Sequence, residues 1–510
     1  MDRRIALGQH LATGFAGPEM TEELIQNICT HKIGNIILFE YNMTDKEQLK
    51  RLCDDLTALI LRETGYPPLI SLDQEGGVVS RLQEDATIFP SAMAIAAGGN
   101  PEAARTAGRI TAEELRAMGV NFDLAPVMDV NSNPLNPVIG VRSYGDEPDR
   151  VTQFALAMAQ GLTEGGVLCS AKHFPGHGDT AVDSHIGLPR VDKTLDALLA
   201  CELKPFQAAI DAGVPAIMTS HILFPALEPE PIPATMSRRI MTDLLKTRMG
   251  FRGLVVSDCM MMGAIEQFYG TVAGSVAAVA AGVDLVYISH SAALAAQAID
   301  ALGSALEAGK LDEAEFDAST ARLLAAKAKL TGPVPTLDTV GSPAHRALSA
   351  QMTETAITLV QDASFALGAS PLFVGPHRFR PTLVSGPEDL TLSFADAMRS
   401  LLGGQAILST PNPTEEEIAA ILAQAKACTS IVIGTYQARQ RPGQLALVRA
   451  AAALGVPVCV VALRDPYDLA VLPGQVRAIA AYDYDARTLS VLGEVLAGRI
   501  QPSGRLPVRL

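Results

Sequence analysis

The strongest constraint on this chain is a repeated alternation of short apolar runs with longer amphipathic stretches. Strand-like runs occur at 5–8, 35–39, 69–72, 122–125, 168–172, 216–219, 254–257 and 284–288. Between them lie 20–30, 45–63, 101–117, 150–164, 194–212 and 236–248, whose apolar spacing suits helices packed on one face. Eight strands alternating with helices in roughly 330 residues predict an α/β fold, a (β/α)8 TIM-type barrel. The unusual polar residues support this reading. Asp73, Asp129, Lys172, His173, His221 and Asp258 each fall at or just past the C-terminal end of an expected strand, the face on which such barrels build their sites.

At 510 residues the chain is too long for one ordinary core. After Leu330 a Pro/Gly/Thr-rich stretch, TGPVPTLDTVGSPAH, reads as a linker. A helix at 345–355 follows. Strands are then expected at 356–360, 372–374, 407–409, 430–433, 458–462 and 478–481, with helices at 415–427 and 445–454 among them. The organisation expected is a barrel over 1–331, a linker over 332–344 and a C-terminal α/β domain over 345–510, an open sheet with helices on its faces. That second domain carries no motif with an assignable catalytic role. It would cover the barrel mouth, support a dimer or stabilise the barrel.

Charge and cysteine usage exclude several classes. A formal charge of −15 with no basic stripe to offset it argues against nucleic acid as a partner. The apolar run at the N-terminus is broken by Gln9, His10 and Thr13, unlike a secretory signal, and no window is apolar enough to span a membrane. Seven scattered cysteines with no CxxC pair suggest neither a disulfide framework nor a thiolate metal site, so a reducing cytoplasm is expected.

The chemistry concentrates in KHFPGHGDTAVDSH, residues 172–185, which holds three histidines, one lysine and two aspartates directly after an apolar strand. So polar a segment is costly beside a core unless its groups are paired or in use. Asp183 and His185 stand at i and i+2, within reach of each other in extended backbone, and a carboxylate beside an imidazole makes a general acid/base. The other reading is a loop aspartate beside a solvated histidine. Asp258, in LVVSDCMMMGAI, is the first ionisable group after a buried strand: either a helix N-cap or a nucleophile that stabilises a cationic transition state. In HxxxHxDxxxDxH the histidines and aspartates match no common zinc spacing, so no metal is expected. Ser184 lacks the GxSxG setting of a serine nucleophile. Asp73 and Arg81, in LDQEGGVVSRL, and Arg142, in NPVIGVRSYGDEP, would be free to contact a ligand. With Lys172 and His173 they describe a pocket for a polyhydroxylated molecule.

These segments resemble the signature of family 3 glycoside hydrolases, and more narrowly their β-N-acetylhexosaminidase (NagZ-type) branch in its two-domain form. Four motifs in the family's order run from Leu69 to Ile265, and the tail QPSGRLPV is similar to the ending of two-domain members. The resemblance implies a retaining exo-β-N-acetylglucosaminidase acting on muropeptides or chitooligosaccharides. Asp258 would be the nucleophile and His185 the acid/base, oriented by Asp183. Asp73, Arg81, Arg142, Lys172 and His173 would bind the terminal N-acetylglucosamine. Neither metal nor organic cofactor would be needed. The partner expected is a small carbohydrate, for a monomer or homodimer. Val78 departs from the family's pattern, standing where many relatives carry a basic residue. The alternative within the same chemistry is a phosphorylase acting on a β-N-acetylglucosaminide or β-glucoside, because an imidazole acid/base does not repel an anionic acceptor.

Overall fold

A computed structural model describes residues 1–510 apart from 185, 186, 381, 383 and 387. Eight parallel strands close into a barrel: β1 (Leu11–Thr13), β2 (Asn35–Ile37), β3 (Leu69–Leu72), β4 (Phe122–Asp123), β5 (Leu168–Phe174), β6 (Ala216–Thr219), β7 (Leu254–Cys259) and β8 (Leu285–Ile288), with β1 paired to both β2 and β8. Helices cover the outside. The strands read as unbroken apolar runs because both faces are buried. Ala12, Ile37, Leu69, Ala216, Met218, Leu254, Val256 and Tyr287 fill the interior, while Leu11, Ile36, Ile70, Ile217 and Val255 pack outward under the helices. Leu323 and Ala326, from the helix Glu313–Ala328, join the interior cluster.

The period of two then places the polar residues. Leu254 and Val256 point inward, and Asp258, within a register irregularity of β7 between Val256 and Cys259, lines the barrel mouth. By the same parity Leu69, Ser71 and Asp73 share one side of β3 and its extension. The Tyr287 hydroxyl donates to Ser71 Oγ at 3.1 Å across the interior.

One expected barrel strand is wrong. Residues 5–8 lie in a helix, Arg3–Gln9, whose N-cap Asp2 accepts from the Arg4 amide, and the first strand begins at Leu11. The run Ile5–Leu7 is too short to show its period: Ala6 and Leu7 pack one helical face against the core. The single helix expected over 194–212 is two, Leu195–Ala200 and Leu203–Asp211.

The rest of the chain forms a second, mixed sheet. Its strands are β9 (Thr358–Gln361), β10 (Pro371–Gly375), β13 (Gln405–Leu408), β14 (Ser430–Thr435), β15 (Val458–Ala462) and β16 (Arg477–Ala480), ordered β13-β10-β14-β15-β16-β9 with β9 antiparallel; a separate hairpin joins β11 (His377–Arg378) to β12 (Asp389–Ser393). Apolar clusters cover both faces of this sheet. The hairpin and the helices Phe394–Leu402 and Ala486–Leu496 were not foreseen. The connecting segment carries a short 3-10 turn, Leu337–Thr339, and its Val340 is buried against the barrel. Barrel residues Met93, Ala94, Ala97 and Val141 belong to the second sheet's core, so the two parts share apolar surface. Among the described residues no helix is long and apolar enough to cross a membrane.

Candidate active site

A cavity of about 430 Å³ opens at the C-terminal ends of the barrel strands. Asp73, Arg142, Lys172, His173 and Asp258 line it together. Two further walls come from the second sheet's hairpin, Arg380 and Val384. Nothing in that Pro-containing loop signals a site residue.

The floor is an ion-pair network centred on Glu75, a residue within LDQEGG that sequence reasoning passed over. Arg142 donates through Nε and Nη2 to its two oxygens, both at 2.8 Å, and Lys172 Nζ lies 2.6 Å from Oε1. Lys172 also donates to Asp73 Oδ1 at 2.7 Å. The side chains are sequestered: Lys172 is 1% exposed, Arg142 3% and Glu75 6%. Burial by itself would raise the pKa of Glu75, but Arg142 and Lys172 outweigh it and hold the carboxyl far below the usual range. Burial likewise works against the Lys172 ammonium, and Asp73 and Glu75 reverse it, so Lys172 stays charged. Asp73, Arg81 and Arg142 thus line the cavity, where a ligand could reach them, but each is ion-paired and not unpartnered. Unpaired charges at this depth would be too costly. Arg81 lies 3.6 Å from Asp73 and 3.5 Å from Glu40, and it donates to the Val384 carbonyl at 3.1 Å. Asp73, 16% exposed at its side chain, keeps its edge toward the cavity.

A second buried pair holds His173. Its Nδ1 is 2.6 Å from Asp129 Oδ2, and Arg142 Nη2 lies 3.3 Å from Nε2. A guanidinium can only donate, so Nε2 accepts and Nδ1–H donates to Asp129. Asp129 Oδ1 also accepts from the His173 and His177 amides, at 3.2 and 2.6 Å. One fully buried carboxylate thus ties β5 to the loop that follows it.

That loop is ordered by His177, whose ring reaches Thr180 Oγ1 at 2.8 Å and Ser184 Oγ at 3.0 Å. Burial lowers its pKa to about 4, so the ring is neutral at physiological pH. Ser184 O accepts from Ala264 N at 3.2 Å, tethering the loop to the segment beyond β7. Asp183 is buried in it and engaged with neighbours. His185 lies outside the described residues.

Asp258 is half-buried on β7, and its Oδ1 accepts from the Cys259 amide at 2.7 Å. It does not cap a helix, since the next one, Gly263–Glu266, has Met262 at its N-cap. His221 sits beneath, bonded to Thr235 Oγ1 at 2.9 Å and to the Cys259 carbonyl at 3.0 Å. It buttresses the end of β7 and does not line the cavity. Among the described residues no His, Cys, Asp or Glu group has the arrangement of a metal site.

Residues 5–326 match the glycosyl hydrolase family 3 N-terminal domain. The chain belongs to glycosyl hydrolase family 3. Within this family it is 39% identical over 367 residues to beta-hexosaminidase A of Pseudoalteromonas piscicida; the match covers 67% of this chain and 61% of that protein's length. It is 34% identical over 301 residues to a beta-hexosaminidase of Idiomarina loihiensis, covering 57% of this chain and 87% of that one. A solved family 3 beta-N-acetylglucosaminidase from Paenibacillus sp. FPU-7 superposes over 100% of this chain and 99% of its own, at TM-score 0.94 and 37% identity.

Proposed function

We propose that the protein is a retaining exo-β-N-acetylglucosaminidase that releases terminal β-linked N-acetylglucosamine from chitooligosaccharides or muropeptides. The observation that carries this reading is that Asp258 shares one cavity with Asp73, Arg142, Lys172 and His173, of which Arg142 and Lys172 are held by the buried Glu75 beneath. The network offers fixed donors and acceptors to a sugar's hydroxyls, and Asp258 supplies an anion where positive charge develops. All seven cysteines are free, which suits a cytoplasmic enzyme.

In the mechanism proposed, the His185 imidazolium gives its proton to the glycosidic oxygen as the C1–O bond breaks, and Asp258 closes on C1 from the opposite face. Water then adds to C1, His185 takes its proton, and the C1–Asp258 ester bond breaks; two inversions leave the β configuration. Asp183 is assigned the role of orienting that imidazole. A histidine here departs from the usual carboxylate pair.

The test is an NMR time course on an aryl β-N-acetylglucosaminide, with and without phosphate. Initial release of β-N-acetylglucosamine at a phosphate-independent rate is expected. Accumulation of the sugar 1-phosphate would make the enzyme a phosphorylase instead, and no turnover would overturn the reading.

A further inference from the structure

We infer that Tyr41, backed by Phe39 and His290, forms the subsite that holds the leaving-group sugar ring. The inference rests on the proposed glycosidase reading and names the residue that grips the ring beyond the scissile bond. Its starting point is orientation within the barrel. The polar network belongs to β3–β5 and their loops, and Asp258 stands across the cavity on β7. A sugar whose hydroxyls meet the network therefore turns its C1 end toward β7.

Two sides of the mouth are covered. Over β5–β7 runs the loop of His177 and Asp183, tethered through Ser184 O to Ala264 N. Beside β3 the second-sheet hairpin closes down, with Arg81 bonded to the Val384 carbonyl and Gly386 N bonded to the Val78 carbonyl. The third side, over β8, β1 and β2, carries an aromatic group that lines the same cavity as Asp258. Phe39 and His290 each follow a strand end by two residues, and their rings lie 4.7 Å apart. Tyr41 stacks with Phe39 at 5.5 Å and 17°, and its hydroxyl is hydrogen-bonded to His290 Nδ1 at 3.1 Å.

This group is rigid yet open to solvent. Asn42 accepts from the Phe39 amide at 2.9 Å and donates to the Phe15 and Gly17 carbonyls, at 2.9 and 2.7 Å, which fixes the turn. Arg81 lies over the Phe39 ring at 5.7 Å. Tyr41 nevertheless remains 42% exposed. A held, partly exposed aromatic face beside a polar sugar pocket offers contact area at little entropic cost. Its chemical complement is the C–H face of a second pyranose. A flexible peptide or a small alcohol would leave it unused.

The experiment compares N,N′-diacetylchitobiose with N-acetylglucosaminyl β-fluoride, whose leaving group has no ring. In Tyr41→Ala the ratio of kcat/KM on the disaccharide to that on the fluoride should fall about tenfold. In Tyr41→Phe the stacking face survives, and the ratio should stay within about twofold of the parent. An unchanged ratio in Tyr41→Ala would overturn the inference, whether both substrates are spared or both slow equally. If the parent enzyme turned over neither substrate, the glycosidase reading would fall first and this with it.

Discussion

Glu75→Gln is the most informative single change, because it removes one charge and almost no volume. In the parent, Glu75 accepts two bonds from Arg142 and one from Lys172, all at 2.8 Å or less, with every partner nearly excluded from water. A glutamine keeps one carbonyl oxygen but turns an NH2 group against cationic donors. Breaking a buried pair by removing one partner costs about 3–5 kcal/mol. The lower end applies here, since Lys172 keeps Asp73 at 2.7 Å and Arg142 keeps His173 Nε2 at 3.3 Å. The expected loss is therefore about 3 kcal/mol, read as a lower urea midpoint at pH 7.

The pH dependence separates charge from shape. Glu75 has a folded-state pKa well below its unfolded value, so its contribution is complete above the ordinary carboxylate range, near 4.3. As pH falls below that value toward the folded-state pKa, the contribution is lost. The gap between parent and Glu75→Gln should thus be widest at neutral pH and shrink below about pH 4. Equal midpoints at pH 7 would refute the network's role. A gap that stayed constant as pH fell would show that packing, and not charge, is responsible.

Two predictions concern the proposed chemistry. Asp258→Ala should lose turnover by about ten-thousandfold or more while still binding N-acetylglucosamine in a calorimetric titration, and near-parent turnover would remove Asp258 from the nucleophile role. His185→Ala should slow cleavage of N,N′-diacetylchitobiose by about a hundredfold or more, but an aryl glycoside with a good leaving group far less. Equal losses on the two substrates would argue against the acid role.

Much of the fold was legible because the barrel strands are buried on both sides and the helices on one. β3 and β6 fall on the expected residues, and Asp258 lines the mouth at the C-terminal end of β7. The first strand failed because three apolar residues have no measurable period. Asp73, Lys172, His173 and Asp258 were legible as cavity-lining residues from their place after strands, whereas His221, placed the same way, lies beneath the cavity, and the partners were not legible at all. Glu75 lies inside a quoted motif, yet nothing local shows that Arg142, 67 positions away, closes on it. The same holds for Asp129 beneath His173, 44 positions apart. Long-range pairing is a property of the closed barrel and leaves no spacing in the chain. Arg380 and Val384 were harder still, arriving from another sheet on an irregular loop.

The second sheet reaches the cavity by a less direct route as well. Val141, fully buried in that sheet's core with Met93, Ala94 and Ala97, immediately precedes Arg142 in a short 3-10 turn. The apolar seam between the two parts therefore sets the backbone from which the Arg142 guanidinium reaches Glu75. Val141→Thr keeps the side chain's shape but buries a hydroxyl, at a cost of about 1–3 kcal/mol if it finds no partner. A turn loosened by that amount should raise KM for a natural oligosaccharide if Arg142 holds the sugar as proposed, while Asp258, mounted on β7, keeps its position and kcat changes little. Were kcat to fall with KM unchanged, the seam would be acting on the reacting end of the cavity and not through Arg142.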